Sequence, residues 1–111
     1  MARILVVSSG SLFGKGLEAF LRQDPALEVV GVTDQVHDAL DLVRRLRPDV
    51  LVLQSNDSAG LALPPLMCCL RDRLIGRIIA LDPHQNTLCV FTAEHREVRG
   101  VADLAKAIAQ P

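Results

Sequence analysis

Few residues in this chain carry chemistry in a pattern that would let them act together. Ser8-Ser9-Gly10-Ser11 follows an apolar run and precedes a helical pattern, where free N–H groups and the helix dipole favour anions. Ser8, Ser9, Gly10 and Ser11 therefore form a candidate anion loop, although a serine N-cap and a glycine turn account for the same residues. Gly10–Lys15 (GSLFGK) fails as a nucleotide-phosphate loop. The spacing G-x-x-x-x-G-K needs glycine at Ser9, and Gly16 stands where a hydroxyl is required. Cys68 and Cys69 are adjacent, with Cα atoms about 3.8 Å apart, below the disulfide range of roughly 4.4–6.8 Å. On a helix they lie about 100° apart and cannot face one ligand, so one core thiol and one surface thiol are expected. His84, Cys89 and His95 are too scattered for a zinc set. His37 opens a helical stretch and is expected in solvent. Neither a nucleophile–base pair nor paired carboxylates can be read from spacing, so no enzyme, metal or cofactor is expected.

The elements that must position these residues alternate between strand and helix patterns. Arg3–Val7 (RILVV) is a nearly continuous apolar run, as expected of a strand covered on both faces. Leu12, Phe13, Gly16, Leu17, Phe20 and Leu21 recur at helical spacing up to Asp24-Pro25. Glu28–Val32 is a second strand. Val36, Ala39, Leu40, Val43 and Leu46 mark a second helix, with Asp41 set to pair with Arg44 or Arg45. Val50–Leu53 (VLVL) is the third strand and Gln54–Gly60 a polar loop. Pro64-Pro65 is expected to open a third helix running to about Leu74, since proline suits a first turn. Arg77–Leu81 and Leu88–Phe91 are the last strands, and Val101, Leu104, Ala105 and Ile108 give a closing helix.

Such alternation predicts a parallel sheet with helices on both faces. One connection breaks the rule. Only Asp82–Thr87 (DPHQNT) separates the last two strands, whereas parallel neighbours need a crossover of a dozen or more residues. Leu88–Phe91 is therefore predicted to run antiparallel to Arg77–Leu81 as an edge hairpin. A fifth strand beginning after Thr92 is the competing register.

Composition bounds the remaining choices. The 111 residues, half of them hydrophobic, suffice for one domain over residues 1–111. Twelve basic against 13 acidic residues give a net charge of −1, so this domain is not expected to bind nucleic acid directly. No apolar stretch approaches a membrane span, and no leader pattern opens the chain. Three cysteines without a disulfide framework fit a reducing cytoplasm.

The first half of the chain resembles a bacterial response-regulator receiver domain, particularly those of NarL/FixJ-class transcription factors. The residues that carry this are Gly16-Leu17, Asp24-Pro25, Glu28-Val29-Val30-Gly31 and Arg47-Pro48-Asp49. The resemblance implies a flavodoxin-like (CheY-like) three-layer α/β sandwich with strand order 2-1-3-4-5 and its working site at the carboxyl ends of the strands. Where such receivers carry two acidic residues after the first strand, this chain has Ser8 and Ser9. Where they carry the phosphate-accepting aspartate, it has Gln54, and Asp82 takes the place of the hydroxyl residue. The expected lysine has no clear counterpart; Thr92 or Glu97 would align. Aspartyl phosphate needs a carboxylate nucleophile, and Mg²⁺ needs hard, charged oxygen ligands. Ser8, Ser9, Gln54 and Asp82 thus form a degenerate phosphorylation pocket, and the phosphorylation switch is expected to be absent.

The helix that receivers place between their last two strands is missing here. Its loss would bare a sheet edge and apolar surface. A protein-interaction or dimerisation role is therefore expected, with a homodimer as partner and Leu88, Val90, Leu104 and Ile108 as candidate interface. The resemblance also implies a regulatory part of a transcription regulator whose DNA-binding segment lies beyond Pro111. The alternative reading is a small-molecule or anion sensor at Ser8, Ser9, Ser11 and Gln54.

Overall fold

The two most apolar runs lie side by side at the centre of a five-stranded sheet. β1 (Ala2–Val7) and β3 (Val50–Gln54) pair in parallel, Ile4 with Val50 through Val7 with Leu53. β2 (Leu27–Thr33) flanks β1 and β4 (Arg77–Asp82) flanks β3, both in parallel. β5 (Thr87–Phe91) completes the order β2-β1-β3-β4-β5. The computed structural model describes residues 1–8, 12–54, 59–82, 85 and 87–109, without the side chains of residues 12–14, 36 and 59–63.

β5 pairs antiparallel with β4, from Ile78–Phe91 to Asp82–Thr87. Only residues 83–86 separate the two strands, too few for a parallel crossover, so the hairpin expected from sequence forms. The competing register after Thr92 is excluded. Four helices accompany the sheet: α1 (Leu12–Gln23), α2 (Val36–Leu46), α3 (Ala59–Arg71) and α4 (Val101–Ala109).

Alternation along the strands divides the core in two. On one face Leu5, Val7, Leu51, Leu53 and Ile78 meet Ala39 and Val43 of α2 and Leu66, Cys69 and Leu70 of α3. On the other, Ile4, Val6 and Val52 lie under Leu17 and Leu21 of α1. Gly31 keeps the first face close: a Cβ there would sit 3.1 Å from Leu5 Cδ1 and 3.3 Å from Leu46 Cδ1.

Three expectations are corrected. α3 begins at Ala59, so Ala59 and Gly60 leave the loop, and Pro64 and Pro65 fall in its second turn. Proline's fixed φ is helical, and α3 carries both prolines inside it despite two missing N–H donors and crowding of the carbonyls four residues back; a first-turn rule therefore locates the start more than a turn late. α3 also stops at Arg71, short of Leu74. There the Leu74 N–H donates to the Cys69 carbonyl at 2.9 Å and the Arg73 N–H to the Leu70 carbonyl at 3.1 Å, closing the helix with Arg73 left-handed. Phe20 is exposed, because at 100° per residue it lies about 80° off the line between Leu17 and Leu21.

α4 is the exception to the layered packing. Its start is held by the Asp103 carboxylate, which accepts the Arg99 N–H at 2.9 Å. Yet none of its residues is buried.

Candidate functional site

The parallel register carries the chain's receiver-like positions to one pole. Val7 pairs with Leu53, so Ser8 and Gln54 follow side by side at adjacent strand ends. They are the buried polar residues among those described, each 8% exposed. The Ser8 N–H donates to the Thr33 carbonyl of β2 at 2.9 Å. Gln54 pairs with Leu81 in β4, which sets Asp82 one residue beyond it. Asp82 accepts the Gln85 N–H at 3.3 Å, turning the β4–β5 connection. Ser8, Gln54 and Asp82 thus share a pole, whereas Ser9, Gly10, Ser11, Asp57 and His84 lie outside the described residues.

The donor set at this pole is nearly neutral. Ser8 offers a hydroxyl and Gln54 an amide, and Asp82 alone of the three is a carboxylate. A divalent cation of the kind receivers use does not fit: hard cations take charged oxygens, and among the described residues no group of three His, Cys, Asp or Glu converges. What the pole can do is hydrogen-bond.

Among the described residues the thiols and histidines do not assemble. Cys69 is buried in the core and burial pushes its thiol up, while Cys68 and Cys89 are exposed. His95 lies in the exposed stretch after β5, its ring Nε2 2.9 Å from the Arg71 carbonyl.

Apolar surface is the more distinctive feature. Ile79 faces Val90 and Leu81 faces Leu88 across the hairpin. Ile79 and Leu81 lie on the α1 face of the sheet, so Leu88 and Val90 extend that face outward, 57% and 52% exposed. On α4, Val101, Leu104 and Ile108 form one stripe, and Leu104 and Ile108 are 53% and 75% exposed. All four interface candidates are therefore solvent-facing, in two patches joined by the chain from Thr92 to Gly100.

A second concavity was not signalled by the sequence. At the amino ends of β3 and β4, Arg47, Asp49, Arg73, Gly76 and His95 help line a cleft of about 480 Å³. Its residues come from three separate loops, each unremarkable when read alone.

Fold and site together define a receiver-like α/β domain. No family model matches the chain. A protein-glutamate methylesterase/protein-glutamine glutaminase of Hydrogenovibrio crunogenus is 39% identical over 51 residues, 46% of this chain and 14% of that protein. The protein of that description from Geobacillus kaustophilus is 33% identical over 70 residues, 63% of this chain and 20% of that protein. The chain thus spans a fifth or less of these curated relatives. Among solved structures, the anti-anti-sigma factor PhyR, complexed with the anti-sigma factor NepR from Bartonella quintana, superposes with a TM-score of 0.53 at 17% identity. The match covers 96% of this chain and 45% of that one.

Proposed function

We propose that residues 1–111 form a single receiver-like domain that works without aspartyl phosphorylation, as a protein-interaction module whose first partner is a second copy of itself. The observation that carries this reading is the mismatch between surface and cover. Leu88 and Val90 of β5 stand exposed on the α1 face beyond the partly buried Ile79 and Leu81, and α4 presents an exposed apolar stripe. A two-fold pair would lay the α4 of each copy on Leu88 and Val90 of the other, giving an isologous interface. β5 also offers an uncharged edge, which native sheets cover or blunt.

Phosphorylation independence rests on Gln54, whose amide cannot form an acyl phosphate. No catalytic role is proposed. PhyR is solved with a protein partner, which supports the interaction class and does not identify this chain's partner. Operation in the cytoplasm rests on the free cysteines, and a role as the regulatory part of a transcription regulator on the family resemblance alone. Among the described residues no helix is long and apolar enough to cross a membrane. Light scattering at two concentrations tests the module: a mass rising toward twice the monomer supports it, and a constant monomer mass overturns it.

A small-anion sensor is the second reading, favoured by the neutral donors of Ser8 and Gln54 buried at adjacent strand ends. Thermal stabilisation by a phosphate compound, lost in Ser9→Asp, would select it.

A further inference from the structure

The cleft at the amino-terminal pole lies at the opposite end of the sheet from Ser8 and Gln54, and its size falls within the range of small-molecule sites, roughly 300–1,000 Å³. Among the described non-glycine residues only Arg47 (φ 49°) and Arg73 (φ 61°) have a left-handed backbone, and both line this cleft. Each closes a helix, α2 and α3 respectively, at a place that favours glycine. Helix dipoles do not explain them, because Arg44 and Arg45 already stand in the last turn of α2 and Arg71 in that of α3. Neither Arg47 nor Arg73 has a carboxylate within ion-pair distance among the described residues.

The rest of the lining supplies a pocket rather than a bare patch. Leu74 gives it a partly exposed apolar side, with Leu70 and Ile75 buried behind it. The carboxylate of Asp49 is engaged by the Arg3 N–H at 2.9 Å, and Arg3 Nη1 donates to the Arg47 carbonyl at 3.2 Å. A third guanidinium therefore borders the same shoulder, and cations outnumber the one acid. His95 Nε2–H donates to the Arg71 carbonyl, which holds the ring and leaves Nδ1 free to accept a ligand hydroxyl.

We propose that this cleft binds a small organic phosphate. The guanidinium groups of Arg47 and Arg73 take its phosphoryl oxygens, as planar forks suited to phosphate, and its organic body lies beside Leu74 and His95. The site is independent of the interaction surface, although Ala93 and His95 belong to the stretch that leads into α4.

Calorimetry on the 111-residue chain tests this with adenosine monophosphate, glucose 6-phosphate and phosphoenolpyruvate, against adenosine and inorganic phosphate. At least one organic phosphate should bind, and adenosine should not. Inorganic phosphate should bind about tenfold more weakly or worse. Arg47→Gly and Arg73→Gly should each weaken binding about tenfold or more. Both variants should melt no lower than the parent, since glycine relieves the left-handed backbone. Ser9→Asp should leave binding unchanged, which separates this cleft from the opposite pole. The proposal is overturned if none of the three phosphates binds at millimolar concentration. Equal binding by the glycine variants, or adenosine binding as well as its monophosphate, overturns it too.

Discussion

Replacing Leu104 with glutamate should separate the self-association of this protein from its folding. Leu104 is 53% exposed on a helix with no buried residue. Burying a whole leucine side chain is worth about 1.5–3 kcal/mol, so covering its exposed half in a dimer contributes about 1 kcal/mol or somewhat more. Bringing a carboxylate into the same contact adds at least a comparable penalty. Two-fold symmetry counts the site twice, for a total of about 4 kcal/mol or more. That weakens the dimer several hundredfold or more at about 1.4 kcal/mol per decade. Helix propensity barely changes, since leucine and glutamate are both good helix formers. The monomer's urea midpoint should therefore stay within about 0.5 kcal/mol of the parent. Sedimentation velocity over a concentration series reads the first quantity and urea unfolding at low concentration the second. The reasoning is refuted if the parent stays monomeric at about 1 mM, which leaves less than roughly 4 kcal/mol of association. It is refuted equally if Leu104→Glu dimerises like the parent, or loses monomer stability as a core substitution would.

Thiol titration of the native protein at pH 8 should show Cys68 and Cys89 reacting quickly and Cys69 only on unfolding, because burial both shields Cys69 and raises its thiol. The raised thiol also fixes a sign. The folded chain holds that proton longer than the unfolded chain, so stability should fall as pH rises past the unfolded thiol value of about 8.5. A Gln54→Asp variant puts a carboxyl at a strand end that is 8% exposed and should cost about 1–3 kcal/mol at neutral pH. Its carboxyl would keep a proton more tightly folded than unfolded, so urea unfolding should show the deficit shrinking as pH falls toward 4. Gly31→Ala should lose about 1–3 kcal/mol by overpacking against Leu5 and Leu46; an unchanged midpoint would mean that those side chains move aside freely.

Much of the sheet was legible because its information is local. Apolar runs such as Val50–Leu53 announce central strands, and a six-residue connection admits only a hairpin. The grouping of Ser8, Gln54 and Asp82 at one pole follows from strand order and parallel register, which the resemblance supplied. Packing choices were less legible. The period of α4 marks its apolar stripe, but a stripe does not say whether the chain's own sheet will cover it. Phe20 fits a three- and four-residue spacing and still points away from the core. Pro64 and Pro65 mislead because the first-turn preference is a tendency, and α3 takes both prolines one turn further in. The arginine cleft was invisible for a topological reason. Residues 47–49, 70–76 and 93–95 converge only because the antiparallel β5 delivers the chain back to the amino ends of β3 and β4.

The claim that this receiver-like domain works without phosphorylation is tested most directly by incubating the protein with acetyl phosphate and Mg²⁺ and measuring its intact mass. With Gln54 where the receiver resemblance implies a phosphoacceptor and Ser8 and Ser9 where it implies an acidic pair, the account predicts an unmodified chain. A stable phosphoryl adduct mapped to an aspartate would contradict it.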